Sequence, residues 1–254
     1  MVHTQFCDRK DSSFIELFCL FSCDSNPEAL IKVAQERYER TGLKCLIYSV
    51  GSRGDFSFEI AFAEYITKIS SDSHICEIHV FDPKDFSHLV PSNLTHIIRF
   101  HAWGLKPHSD VSKFDVKLDS LGNAIYSEQQ NQTSELDSER KSATTSNEEY
   151  VIGEEYLSLQ QIVQKLGHQA RIVDVFKIDC EYCEWDTYQD WLMSNVDIRQ
   201  IQVELHHAPP VAIEFFTSLQ HEGYVTFHKE PNIQYDGGNC QEYAFLKLDQ
   251  KFFI

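Results

Sequence analysis

The stretch over residues 45–55, CLIYSVGSRGD, places the strongest constraint on the fold. A mostly apolar run enters two glycines three positions apart, and an acid and a helix-forming segment follow at once. This order reads as a strand, a tight turn and a helix start. At the carboxyl end of a strand in an open α/β sheet, a turn without Cβ atoms lets a nucleotide approach the backbone, and the next helix offers N–H groups. Two readings stay open for the pair alone: Gly51 and Gly54 either form a nucleotide-cofactor loop or serve only a tight connection from strand to helix.

Length and composition narrow the classes. The 254 residues, 42% hydrophobic and 13% aromatic, suit one α/β domain with decorations rather than two small ones. We expect that domain over 25–254, behind an N-terminal extension over 1–24. Asp and Glu outnumber Lys and Arg by 39 to 22, for a formal charge of −17, which argues against nucleic acid or an anionic membrane surface as partner. The eight cysteines, at 7, 19, 23, 45, 76, 180, 183 and 240, are scattered through a chain too long to need a disulfide framework, so most are expected as free thiols. Cys180 and Cys183 have redox or zinc spacing, but no second such pair completes a tetrahedral site. The apolar segment Phe14–Phe21 is short and contains Glu16, so no membrane span is expected. We expect a cytoplasmic location. Arg9 and Lys10 before that segment keep a secretory alternative, in which the sequons at Asn93 and Asn131 become usable.

Residues 25–41 combine a cap at Ser25 or Asn26, Pro27 in the first turn and apolar residues at 30, 31, 33, 34 and 38. They predict an amphipathic helix ended by Gly42. A nearly apolar strand over 43–50 follows, as expected for a parallel strand covered on both faces. A helix over 56–69 carries Phe58, Phe62, Tyr65, Ile66 and Ile69 on one stripe. Residues 74–82 form a second strand that Pro83 stops, and a third runs over 94–100 into HAWGL. Large apolar residues then thin out between 109 and 156. The tract 126–155 holds eight acids and two bases, which predicts a mobile surface insertion; without it the charge is still −11. Order resumes with a helix over 156–167 closed by Gly167, a strand over 172–179, a helix over 184–193 and a strand over 199–206. A helix from Pro209 to Gly223 and two strands, 224–228 and 242–248, end the chain; the strands pair as an antiparallel hairpin added to a parallel sheet.

Three constellations could carry chemistry. Asp82 stands at the tip of the strand after the glycine turn, where one carboxylate can accept two ribose hydroxyls; it also suits an ordinary Asp-Pro turn. Period two puts Lys177, Asp179 and Glu181 on one side of their strand as it ends, and Gln202, Glu204 and His206 on one side of theirs. Polar residues alternating through apolar strands are either paired with one another or wet at the sheet's carboxyl edge. Such a set suits general-base activation of a hydroxyl, with or without a divalent ion, or a structural ion-pair network. His101 beside Trp103 is placed to stack on or hydrogen-bond a base, or is a satisfied turn histidine.

In order, SVGSRGD, HVFDP, HAWGL, LSLQQIVQKLGH, DVFKIDCEYCEW, IQVELHH and EPNIQYDGGNCQEYAFLKL resemble the eukaryotic methyltransferase-like proteins related to the FkbM group. The resemblance covers about residues 27 to 248. It implies a class I methyltransferase fold: a Rossmann-like α/β sheet of seven strands, mostly parallel with a C-terminal antiparallel hairpin, helices on both faces, and S-adenosylmethionine as cofactor. By the same resemblance, Gly51, Ser52, Gly54 and Asp55 form the cofactor loop and Asp82 binds the ribose. Residues Phe100 to Trp103, His101 among them, lie near the adenine, and Asp179 and Glu181 face the methyl group or the acceptor. The chain departs from the pattern where Tyr182 replaces a usual glycine, and in a glycine turn shorter than G-x-G-x-G.

The preferred reading is therefore methyl transfer to an oxygen, a hydroxyl or carboxyl of a small metabolite or sugar. Asp179 and Glu181, then Glu204 and His206, are the candidate catalytic groups. A binding or scaffold protein that keeps the fold without turnover is the alternative. A nicotinamide dehydrogenase is disfavoured because the turn lacks the third glycine of G-x-G-x-x-G.

Overall fold

The computed structural model describes residues 27–70, 75–108, 114–118, 124–128, 155–193, 195–232 and 240–249. The expected N-terminal extension, Cys7, Cys19, Cys23, Asn131 and the acidic tract over 129–154 lie outside them.

The first helix, α1, runs over Pro27–Thr41 with proline at its first position, and stops at Gly42, which adopts φ +70°. Strand β1 (Cys45–Val50) is buried at every position, as a central parallel strand must be. Helix α2 (Ser57–Ile69) leads to β2 (Cys76–Phe81), which is also buried throughout. Strand β3 (Ile98–His101) begins later than its apolar pattern predicts. Backbone bonds from Ile97 and Ile98 to the Leu94 carbonyl curl residues 94–97 into a turn instead.

Strand β4 (Trp103–Leu105) follows, then the pair β5 (Phe114–Leu118) and β6 (Ala124–Glu128), and β7 (Glu155–Leu157). Part of the expected insertion is thus regular: β5 and β6 pair antiparallel, and β7 returns to lie parallel to β4. Helix α3 (Leu159–Leu166) starts with a reciprocal capping box between Ser158 and Gln161 and ends at Gly167 in the left-handed region, as its sequence signals require.

The strand expected over 172–179 is split into β8 (Ile172–Val173) and β9 (Val175–Ile178). Between them Asp174 accepts the Leu46 N–H with its side chain at 2.9 Å and both Arg37 nitrogens at 2.8 and 2.6 Å. Helix α4 (Cys183–Met193), β10 (Asp197–Ile198), β11 (Gln200–His206), α5 (Ala212–His221), β12 (Tyr224–Asn232) and β13 (Cys240–Lys247) complete the domain.

The main sheet has seven strands in the order β12-β13-β11-β9-β1-β2-β3. All pairings are parallel except those of β13, which runs antiparallel to both β11 and β12. The closing hairpin is therefore inserted into the sheet edge, with β13 inside and β12 outside. Alternation divides the core: Ile47, Ile78 and Val175 face α1 and α2, and Tyr48, Phe81 and Phe176 face α3, α4 and α5.

The expectation of mostly free thiols is overturned for the described cysteines. Cys45 and Cys76, the first register pair of β1 and β2, form one disulfide, and Cys180 and Cys183 form another. Cys240 keeps its thiol. Parallel pairing put Cys45 beside Cys76, a proximity that spacing along the chain does not reveal.

Two stability measurements test this fold. Asp174→Asn breaks a buried ion pair and is expected to cost about 3–5 kcal/mol in urea denaturation, whereas breaking the exposed Lys165–Glu155 pair with Glu155→Gln costs at most about 1 kcal/mol. Burial pushes the Glu77 carboxyl upward, but contacts with His79 and Arg171 outweigh this and hold it at about 2 against the usual 4.5. A depressed folded value stabilises the fold above the ordinary one and loses that effect as pH falls through the folded one. The acid limb of the stability curve is thus expected to be shallower in Glu77→Gln between pH 4.5 and 2.

Candidate active site

The glycine turn closes the carboxyl end of β1 against the end of β9. Gly51 has φ +82°, and a Cβ placed on it would lie 1.6 Å from the Asp179 carbonyl oxygen. No side chain fits there. Gly54, at φ +84°, packs against Phe86 and Leu89, so both glycines are demanded by the protein's own packing. Asp55 accepts the Ser57 N–H at 2.9 Å and starts α2, and Ser52 is buried with its hydroxyl accepting the Gly54 N–H.

Asp82 follows β2 directly and is 6% exposed. One carboxylate oxygen accepts the Arg53 N–H at 2.9 Å and the other accepts the Lys84 N–H at 3.0 Å. The acid is therefore fixed against the glycine turn. A carboxylate has about four acceptor positions, so two backbone bonds leave capacity for two hydroxyls, which is what a ribose presents.

His101 ends β3, and its carbonyl accepts the Asp82 N–H at 3.3 Å. Its ring bonds His79 edge to edge at 2.9 Å and stacks on Trp103, with centroids 4.5 Å apart. Burial, then the neighbouring His79, lowers its pKa to about 4. Trp103 is also capped by Lys165, whose Nζ lies 4.4 Å from the ring centre. Both aromatic rings are thus committed to an internal stack beside the turn.

The four candidate catalytic residues do come together. The His206 Nε2 lies 3.4 Å from Glu181 and 3.9 Å from Asp179. Behind the imidazole, Glu184, fully buried, accepts both the His206 Nδ1–H at 2.8 Å and the His206 backbone N–H at 3.0 Å. Trp185 donates its indole N–H to the His206 carbonyl at 2.8 Å. The start of α4 therefore grips the end of β11 at its N–H, its carbonyl and its side chain. Burial alone would lower the His206 pKa, but Glu184, Glu204 and Asp179 outweigh it and raise it to about 9.

Register extends this cluster into a row. Glu204 faces Glu242 across β11 and β13, and Glu242 faces Glu230 across β13 and β12. Asp179 stands one residue past the Val203–Ile178 pair, so four acids on neighbouring strands line up beside Gly51. Like charges directly opposite one another repel. Burial, then Glu204 and Asp179, pushes the Glu242 carboxyl up to about 8, and burial and Asp179 also raise Glu204. A cavity of ≈ 20 Å³ opens on this row, lined by Lys177, Ile178, Asp179, Gln202, Glu204 and Glu242. That is room for a water-sized group or the head of a larger molecule.

Backbone strain gathers at the same strand ends. Arg53, Glu181, Tyr182 and His207 all adopt positive φ without being glycine, and such residues concentrate where a site over-determines its backbone. Tyr182, where the chain departs from the pattern it resembles, has φ +84°. It is held there by stacking on His207, with centroids 5.5 Å apart, and is not among the residues lining the cavity. Arg53 reaches over to pair with Glu181 at 2.5 Å, both side chains being exposed.

Sequence reading missed Glu184, Glu242, Arg53 and Cys240. Glu184 had one signal, an acid in the first turn of a helix that directly follows the site strand. Glu242 had none, because only antiparallel register puts it opposite Glu204.

Gly51→Ala introduces both the clash with Asp179 and a strained φ, and is expected to destabilise the fold by more than about 2 kcal/mol. Gly167→Ala, at φ +72° with open space around it, is expected to cost only about 1–2 kcal/mol. Chemical denaturation of the two variants separates close approach from backbone strain.

A family model described as a methyltransferase domain matches residues 22–247. No curated protein matches the chain. Among solved structures, a putative RNA methyltransferase from Pyrococcus horikoshii aligns over 89% of this chain and 85% of its own at 10% identity, with a TM-score of 0.36. A Burkholderia thailandensis 1,6-didemethyltoxoflavin-N1-methyltransferase, bound to 1,6-didemethyltoxoflavin and S-adenosylhomocysteine, aligns over 93% of this chain and 84% of its own at 7% identity, with a TM-score of 0.38. Likenesses that loose carry nothing about the acceptor. The family match spans all seven strands of the main sheet and the whole candidate site: the chain belongs to the methyltransferase-domain family, and it is an S-adenosylmethionine-dependent methyltransferase.

Proposed function

We propose that the chain methylates a hydroxyl of a small metabolite or sugar, and that the acceptor's reacting end enters the cavity beside Asp179. One observation carries this reading: Gly51 packs on the Asp179 carbonyl, so the glycine turn and the acid-lined cavity share a wall. S-adenosylmethionine supplies, when bound, an electrophilic methyl group on a sulfonium. Asp82, with two acceptor positions left, holds the ribose hydroxyls, and Gly51, Ser52, Gly54 and Asp55 shape the loop beside it. His101 and Trp103 form the wall toward the base.

On the acceptor side the protein aligns a hydroxyl and takes its proton. Asp179 has the position for both tasks, since it borders turn and cavity. His206, gripped by Glu184, sets the orientation of Asp179 and Glu181, and Glu204 completes the wall. A carboxyl acceptor would meet the three acids that line the cavity, Asp179, Glu204 and Glu242, and be disfavoured beside them, so the lining favours a hydroxyl. The relation to the FkbM group belongs to this proposal and rests on KIDCEYCEW, whose Glu184 and Trp185 fasten His206.

No helix among the described residues is long and apolar enough to cross a membrane. Two disulfides support an oxidising compartment over the cytoplasmic expectation, and the Asn93 sequon is exposed. Alkylation mass spectrometry of the unreduced protein is expected to find the four cysteines at 45, 76, 180 and 183 protected; labelling of all four would return the chain to a reducing compartment.

Calorimetry tests the cofactor side. Asp82→Asn is expected to weaken S-adenosylmethionine by about 10- to 100-fold, as the loss of charge-assisted hydrogen bonds does. Asp179→Asn is expected to bind the cofactor normally and to lose transfer of labelled methyl to extracted small metabolites. Equal turnover by Asp179→Asn and the native protein would remove Asp179 from the chemistry.

A further inference from the structure

The antiparallel register places His206 directly opposite Cys240, and Glu204 lies two residues before His206 on the same face of β11. These three side chains each offer a ligand atom, and the atoms lie within 4.8 Å of one another. Carboxylate oxygen, imidazole nitrogen and cysteine sulfur together are the donor set of a borderline-soft divalent ion of the zinc class, and not of magnesium or calcium. Each flank is already held. Glu184 accepts from His206 Nδ1, which leaves Nε2 as the ring's ligating nitrogen, and Asn232 donates to Glu204 at 3.0 Å. Outer partners that orient a ligating histidine and carboxylate are the second half of a metal site.

Two further observations point to an ion. The row Asp179, Glu204, Glu242 and Glu230 brings four acids together, and Lys177 is the one cation among the residues lining the cavity beside it. Within that cavity the amide of Gln202, 1% exposed, has neither its nitrogen nor its oxygen bonded. A buried amide with both ends open costs several kcal/mol unless a water or a ligand completes it. A water held by an ion at the cavity wall would do so.

We infer that Glu204, His206 and Cys240 form a binding site for one zinc-class divalent ion, with its fourth position open toward the cavity. On binding, the Cys240 thiol, the protonated His206 at its Nε2, and Glu204 where it is protonated each give a proton to solvent, and the thiolate, the His206 Nε2 and a Glu204 oxygen become ligands. No bond in the disulfides changes, and no redox step is involved. Occupation draws the ligand atoms together by about 1 Å to reach the spacing of tetrahedral donors. The fourth position then faces the Asp179 side of the cavity. An acceptor hydroxyl placed there would have its pKa lowered by the ion; this last role rests on the methyl-transfer reading, whereas ion binding does not.

Cobalt(II) is the probe, added to the metal-stripped full chain without cofactor. One equivalent is expected to bind, giving tetrahedral visible bands and a near-ultraviolet sulfur-to-cobalt band. Cys240→Ser, nearly isosteric, is expected to abolish the sulfur band. Glu204→Gln, only partly buried, is expected to weaken cobalt by at least tenfold, and Glu184→Gln by about 10- to 100-fold as an orienting partner. Circular dichroism confirms that each variant is folded. No sulfur band in the folded native protein, or a band that survives Cys240→Ser, overturns the site. Failure to bind S-adenosylmethionine in the separate calorimetry would instead overturn the methyl-transfer reading and leave cobalt binding intact.

Discussion

The contact between Gly51 and the Asp179 carbonyl governs the geometry of this molecule. The turn after β1 can pass this close to the Asp179 carbonyl only because Gly51 carries no Cβ, and the contact joins that turn to the first acid of the site row. Everything placed on either side inherits its position from that contact. Asp82 is fastened to the turn through the Arg53 N–H, and Asp179 leads through the α4 start to Glu184 and His206. A loop of looser geometry would separate the two halves.

The second constraint is electrostatic. A row of four acids across β9, β11, β13 and β12 would oppose folding if all were charged and unpaired, since each is partly or wholly withdrawn from water. The fold answers with a raised pKa at Glu204 and Glu242, with His206 held protonated by Glu184, and with the Arg53–Glu181 pair at the exposed rim. Positive φ at Arg53, Glu181, Tyr182 and His207 belongs to the same region. Strain and like charge are both tolerated there because the surrounding sheet and its two apolar cores over-determine the strand ends.

The motif KIDCEYCEW shows how one short stretch serves several levels at once. Lys177 and Asp179 leave β9 on the cavity side, the disulfide between Cys180 and Cys183 closes the bend, and Glu184 and Trp185 reach across to β11. The later residues of the motif bind the backbone and the side chain of His206, 22 positions beyond Glu184 and 21 beyond Trp185. Tyr182 is the exception within it: a bulky residue in a conformation that glycine adopts freely, retained by stacking on His207.

Much of the architecture was legible in the chain alone, because local chemistry decides it. Continuous apolar runs predict buried parallel strands, and β1 and β2 are buried at every position. Gly42 and Gly167 mark helix ends that the structure keeps, whereas the helix expected from residue 156 starts only at Leu159, behind the capping box of Ser158 and Gln161, because residues 155–157 pair as β7. Period two correctly put Asp179 with Lys177, and Glu204 with His206, on shared faces. Spacing could not reveal what depends on which strand lies beside which. The Cys45–Cys76 bond comes from parallel register, the split at Asp174 from a side chain that replaces a ladder bond, and the pairing of Glu204 with Glu242 and of His206 with Cys240 from the insertion of β13 into the sheet. The sequence by itself determined the elements and the glycine turn, since those rest on contacts between near neighbours. Only the tertiary structure decided the acid row and its histidine and cysteine, since those rest on strands drawn from distant parts of the chain.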